Sequence, residues 1–284
     1  MSHKFNYQEV DLTPVEAAFL GLLQGLTEFL PVSSSGHLVL GKTFLGIQET
    51  GINFEVFVHF GTLLAVVVAF SPDVVKLIKA FFSIFTPTFY KTGIRRVFET
   101  SEYFRLLVYL VIGTIPAAFI GVFFEEKIEA AFNSPILTCF MLIATGFILL
   151  VTRFTKNKNS PNSTGKSFLI GCAQAFAILP GISRSGSTIS IALFRGMDGK
   201  QAARFSFLLA LPAILGATIL KSSALIATPP SSAELVSLLI GTLVSFVSGY
   251  YAIIWLLNIV RRGKLYWFAP YCFLLGGIGL LLLS

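Results

Sequence analysis

The chain has 284 residues, of which 55% are hydrophobic and only 12% charged, with a formal net charge of +7. Soluble domains carry roughly 25% charged residues, and the mean hydropathy of +0.80 also argues against a soluble fold. Lipid must act as solvent for this much apolar surface. Nucleic acid is excluded as the reason for the positive charge, because the Lys and Arg lie in short connections between apolar runs.

The first thirteen residues are polar and lead into an apolar run without an A-x-A cleavage pattern, so no removable signal peptide is expected. Apolar runs follow at 14–30, 37–47, 56–70, 74–86, 104–124, 135–152, 167–180, 187–194, 203–220, 235–260 and 265–284. Several match the roughly 20 residues that a spanning helix needs. Runs 37–47 and 187–194 are too short, and 74–86 carries Lys76 and Lys79, as an interfacial helix would. Cys139, Cys172 and Cys272 lie in apolar runs without C-x-x-C spacing, which implies neither a disulfide framework nor a zinc site.

An internal repeat organises these runs. GLLQGLTEFLPVSSSG at 21–36 aligns with GCAQAFAILPGISRSG at 171–186 at a constant offset of 150. Gly21 meets Gly171, Gln24 meets Gln174, and Ser33, Ser35 and Gly36 meet Ser183, Ser185 and Gly186. A second echo pairs IGT at 112–114 with IGT at 240–242 at an offset of 128, and the 22-residue difference fits an extra element near 74–86. Each half reads as an apolar helix, a Pro/Ser/Gly break, a short second helix and three spans. Such a break marks a re-entrant hairpin.

The expected fold is therefore all-α: a polytopic membrane protein built as an inverted repeat, with two re-entrant helical hairpins and about six transmembrane helices. Residues 1–284 form a single membrane domain, with a first repeat at 14–152 (hairpin 14–47) and a second at 167–284 (hairpin 167–196). The loops at 71–105, 152–166, 195–204 and 261–264 hold sixteen of the 21 Lys and Arg, which makes that side cytoplasmic. Lys4, Lys42, Lys127 and Lys221 remain on the other side, and Arg184 sits at the second break. The hairpins then enter from opposite sides, and their tips can meet near mid-membrane.

Chemistry concentrates at these breaks. An intramembrane carboxylate such as Glu28 faces a cavity or a partner, and a structural hydrogen bond is the blander account. Gln24 shares its helix face, and the two together can hold a divalent ion or orient a water. Ser33, Ser34, Ser35 and Gly36 after Pro31 can simply cap a new helix. They also offer phosphate the positive end of a helix, and a hydroxyl that a nearby base could activate. His37 is either that base or a polar cap.

Arg184 needs an anion, either phosphate or Glu28 itself, and Ser183, Ser185, Gly186 and Ser187 surround it with donors. Glu55 and His59 share a face of the next span, where Glu55 can act as no more than a helix cap. Thr188 and Gln174 are weaker candidates of the same kind.

Three patterns mislead. GHLVLGKT at 36–43 matches the P-loop pattern but lacks the strand and the open Gly-rich turn that the motif requires. Ser35-Gly36-His37 is similar to the S-G-H of acid-phosphatase-like lipid phosphatases, but those need a His where this chain has Ser190. The glycosylation sequon at Asn162 falls on the cytoplasmic side.

QGLTEFLPVSSSGH (24–37), FEVFVHFGTLLAVVV (54–68) and LPGISRSGSTI (179–189) resemble the bacterial undecaprenyl-diphosphate phosphatases linked to bacitracin resistance. The first and third match the family's [E/Q]-x-x-x-E and P-G-x-S-R-S-G motifs, and the resemblance runs through nearly the whole chain. It implies removal of the terminal phosphate from undecaprenyl diphosphate, which regenerates the carrier lipid for peptidoglycan and other envelope polymers. It further implies a divalent cation (Mg²⁺ or Ca²⁺) and a bacterial cytoplasmic-membrane enzyme whose site opens to the periplasmic side.

Carried over, Glu28 is the motif carboxylate, Ser34 the candidate nucleophile with Ser33 beside it, Arg184 the phosphate grip with Ser183 alongside, and His37 the motif histidine. Gln24 stands where many members have Glu, which leaves Glu28 as the main metal or base group. The bilayer and a polyprenyl diphosphate are the expected partners, and a homodimer is a further candidate. Inverted repeats with broken helices also suit a lipid flippase or transporter, and a scaffold is the third alternative. Phosphate release that is lost on substituting Glu28 or Arg184 separates the enzyme from both.

Overall fold

The computed structural model describes residues 12–45, 52–155, 159–227 and 231–283. Most of the polar lead and the last two residues of the expected first hairpin, 46–47, lie outside this set. Among the described residues every regular element is a helix.

The first helix, α1 (Pro14–Phe29), opens with a capping box. The Thr13 hydroxyl accepts from the Glu16 N–H at 3.3 Å, and the Glu16 carboxylate accepts from the Thr13 N–H at 2.9 Å. It stops at Leu30 because Pro31 cannot continue it. After four residues the chain restarts as α2 (Ser34–Leu45). The second break has the same form, between α10 (Thr164–Phe176) and α11 (Arg184–Phe194). The false P-loop lies inside α2, where helical N–H groups are consumed internally and cannot cradle phosphate.

After the first hairpin come α3 (Ile52–Ala69) and α4 (Ser71–Ser83), which meet at a 90° bend. The short helices α5 (Pro87–Thr92) and α6 (Ile94–Thr100) lead into α7 (Glu102–Phe123), α8 (Glu125–Phe132) and α9 (Pro135–Val151). After the second hairpin follow α12 (Gly199–Ala227), α13 (Ser232–Arg261) and α14 (Ala269–Leu283).

Four stretches among the described residues are long and apolar enough to cross a bilayer: Glu102–Phe123, Pro135–Phe154, Glu234–Arg261 and Leu265–Leu283; the bent α3–α4 pair is a fifth candidate. The sixth expected span is α12, whose 29 residues reach far enough but include Lys200, Arg204 and Lys221. Large side chains such as Phe119, Phe140 and Leu274 point outward, as lipid-facing residues do. The protein is an all-α, multi-pass membrane protein.

The packing explains how the hairpins are held. Helix α1 lies along α13, and α10 lies along α7. A Cβ on Gly21 would strike the Gly241 backbone, and one on Gly171 would strike the Gly113 backbone. These are the glycines that the two sequence offsets pair. Small residues let helices approach backbone to backbone in lipid. The first helix of each hairpin therefore docks on the middle span of the other half. Helices α3 and α12 pack on each other, as do α9 and α14, so helices at matching places in the two halves are partners.

Candidate active site

Both breaks build a helix start with the same bond. The Ser33 hydroxyl accepts from the Gly36 N–H at 3.2 Å, and the Ser183 hydroxyl accepts from the Gly186 N–H at 3.1 Å. The turn before α2 holds Ser33 at φ +65°, a left-handed conformation that costs a non-glycine residue energy. In the second break the left-handed residue is Gly181, at φ +92°. Thr145 of α9 clamps this second turn: its hydroxyl donates to the Gly181 carbonyl at 2.8 Å and accepts from the Ser183 N–H at 3.1 Å.

The tips touch. A Cβ on Gly36 would lie 3.2 Å from the Gly181 Cα, and one on Gly186 would lie 3.2 Å from the Pro31 Cβ. Each glycine thus leaves room for the other hairpin, and the N-termini of α2 and α11 come together. Their peptide dipoles make the space between them attractive to an anion.

Glu28 is the centre of the cluster. One carboxylate oxygen accepts from Arg184 Nη2 at 2.5 Å. The other accepts from the Ser34 hydroxyl at 2.9 Å and from Gln24 Nε2 at 3.0 Å. The Glu28 and Arg184 side chains are 9% and 16% exposed, so the pair is largely out of water. Arg184 Nη1 is buried without a partner, although a buried donor normally finds one. A guanidinium half engaged by a carboxylate has its remaining donors available for phosphate oxygens.

His37 is placed differently from a base for Ser34. Its Nδ1 donates to the Ser33 carbonyl at 2.7 Å, which leaves Nε2 to accept from the Tyr271 hydroxyl at 2.6 Å, with the two rings stacked. The group hydrogen-bonded to the Ser34 hydroxyl is Glu28. His37 instead ties the start of α2 to α14.

Among the remaining candidates, Ser33, Ser183 and Gly186 form the caps, and Ser35 and Ser185 bond Ser33 and Ser183 at 3.2 and 3.3 Å. Thr188 is buried and faces helix packing: its hydroxyl donates to the Arg184 carbonyl at 2.8 Å and meets Ser206 of α12 at 2.6 Å. The Gln174 amide is buried without a partner, because the position equivalent to Glu28 in its repeat is Ile178.

His59 joins the cluster. Its Nδ1 donates to the Glu55 carbonyl at 2.7 Å, so Nε2 faces Glu28, with 3.9 Å between them. Only its spacing from Glu55 hinted at this. Nothing in the sequence singled out Tyr271 or Thr145, since a Tyr or Thr in an apolar run reads as an interface anchor or a residue bonded to its own helix.

A sequence model of one family, described as bacitracin resistance protein BacA, matches residues 17–278. The chain belongs to that family. It is 46% identical to the undecaprenyl-diphosphatase of Salinibacter ruber over 94% of this chain and 98% of that protein. It is 45% identical to the undecaprenyl-diphosphatase of Desulfatibacillum aliphaticivorans, over 92% of this chain and 96% of that one. In this BacA-family chain the touching tips fall within the matched region.

Among the described residues no three His, Cys, Asp or Glu side chains group closely enough to hold a metal. The nearby donors are the Glu28 carboxylate, the Gln24 amide and His59 Nε2. A set with one carboxylate does not suit a metal caged by protein. It does fit a hard cation that takes most of its ligands from phosphate and water, as Mg²⁺ commonly does.

Proposed function

We propose that this chain hydrolyses undecaprenyl diphosphate to undecaprenyl phosphate and inorganic phosphate, recycling a carrier lipid for envelope synthesis, at the cluster of Glu28, Ser34 and Arg184. The carrying observation is that one carboxylate, Glu28, bonds both the Ser34 hydroxyl and the Arg184 guanidinium across the two hairpin tips. Membership of the family and the relatives named above support the substrate.

The chemistry follows from the contacts. The free Nη1 of Arg184 and the N–H groups opening α2 and α11 bind the terminal phosphate and neutralise its charge. Ser34 Oγ attacks its phosphorus and passes its proton to Glu28, while the bond to the bridging oxygen breaks and undecaprenyl phosphate leaves. Water then attacks the phosphoserine, and Ser34 recovers a proton as inorganic phosphate departs. Gln24 orients the carboxylate. A divalent cation, held by Glu28 and Gln24 together with the diphosphate, would supply further charge neutralisation. Sixteen of the 21 Lys and Arg on one side support a site opening to the opposite, periplasmic face of a bacterial cytoplasmic membrane.

The test is phosphate release from a prenyl diphosphate by the purified chain, with acid quenching in the first turnovers. Labelled terminal phosphate should appear on wild-type protein and be absent from Ser34→Ala. Rapid turnover by Ser34→Ala would remove the covalent step.

A further inference from the structure

A charged cavity of about 340 Å³ lies away from the hairpin tips, between α4, α7, α12 and α13. Its depth follows from α13. Near its start, Ser237 donates to the Leu12 carbonyl at 2.6 Å, beside the start of α1. Further along, Gly249 lies against Phe29 at the hairpin tip. Leu257 and Arg261, which line the cavity, come eight and twelve residues later, about 12 and 18 Å farther along the helix. The cavity therefore lies toward the membrane face opposite the start of α1, the side the Lys and Arg distribution makes cytoplasmic. Trp255, Tyr266 and Trp267 belong to the same end, with Lys264 over Trp267 at 4.1 Å and Arg153 over Tyr266 at 5.8 Å. Such aromatic and basic residues gather at headgroup level.

Part of the cavity is a structural clasp. Arg204 of α12 donates to Asp73 of α4 at 2.6 Å and lies 3.5 Å from Glu102, and the Tyr103 hydroxyl donates to Asp73 at 3.1 Å. These contacts give both carboxylates a cationic partner and tie three helices together. They leave out Lys200 and Arg261, which also line the cavity, are exposed, and form no ion pair among the described residues. Three cations thus face two carboxylates, and the surplus charge is on the two residues that the clasp does not use. Phe70 and Leu257 supply the apolar part of the same lining.

Unpaired cations and apolar side chains in one cavity at headgroup depth match a phosphate group carried on an acyl chain. We infer that this cavity binds the phosphate headgroup of an anionic lipid from the leaflet on that side, with Lys200 and Arg261 as its ligands. A free phosphate ion presents the same oxygens but has no chain to meet Phe70 and Leu257.

The full chain in neutral detergent, titrated with phosphatidic acid and read by native mass spectrometry, tests this. Diacylglycerol is the uncharged control and inorganic phosphate the competitor. The Lys200→Ala/Arg261→Ala variant should bind phosphatidic acid about 30-fold more weakly. Lys79→Ala, an exposed lysine of α4 outside the cavity, should bind like wild type. Unchanged binding in the double variant, or an equal loss in Lys79→Ala, overturns the site.

Lys200→Arg/Arg261→Lys should keep binding within about threefold, and a loss as deep as in the alanine pair counts against a headgroup site. Inorganic phosphate in tenfold excess should leave the adducts in place, and their displacement would assign the cavity to free phosphate instead. Prenyl-diphosphate hydrolysis by the double variant should stay at the wild-type rate, since neither residue touches the hairpin tips. That result separates this inference from the catalytic reading.

Discussion

Replacing Glu28 with glutamine tests the centre of the site with little change in shape. Its carboxylate accepts from Arg184 on one oxygen and from Ser34 and Gln24 on the other. The new amide can keep its oxygen toward Arg184. Its NH₂ then faces two former donors, but both can adapt: Ser34 by rotating its hydroxyl, Gln24 by turning its amide. Folding should still weaken, because Arg184 keeps a largely buried charge without its counter-ion, and breaking one side of such a pair costs about 3–5 kcal/mol.

Catalysis should suffer on its own account, because an amide cannot take the Ser34 proton. Loss of a general base typically costs about 10²–10⁴-fold in rate, or roughly 3–5 kcal/mol of barrier. Arg184, released from its negative partner, is freer to hold phosphate, so KM should stay level or fall. Steady-state phosphate release in detergent, with a thermal melt of the same sample, separates the two effects. A raised KM with unchanged kcat would refute the argument, for it would make Glu28 a binding group and not a base.

Arg184→Lys keeps the charge but loses the fork that serves Glu28 and phosphate together, and its rate should drop about 10²–10³-fold in the same assay. Gly171→Ala should lower the thermal midpoint in detergent, because its Cβ would press on the Gly113 backbone; overpacking of this kind costs about 1–3 kcal/mol, and an unchanged midpoint would deny that contact. Chelator should reduce turnover yet leave the melting temperature of substrate-free protein unchanged, since the described residues build no protein cage for a metal. A large drop on chelation would reveal a resident structural ion.

The sequence by itself determined the solvent, the helices and the two broken elements. Apolar run length, Pro31 and Pro180, and the serines that follow them act locally, and local chemistry can be read along the chain. It also singled out Glu28 and Arg184, because an ionisable group in lipid needs a partner. Only the tertiary structure decided that they are each other's partners. Under the offset of 150, Glu28 aligns with Ile178, and Arg184 with Ser34. Neither repeat therefore holds the acid, the hydroxyl and the guanidinium together, and the cluster exists only where the tips meet.

The place of His37 also depended on the assembled fold, since its second nitrogen is taken by Tyr271, 234 residues away. The charged cavity was invisible for the same reason: its residues come from four helices, and nothing in any one of them shows that Lys200 and Arg261 lack a counter-charge. Partners that are distant in sequence are chosen by packing. Here packing turns on glycines that bring helix backbones from the two halves into contact.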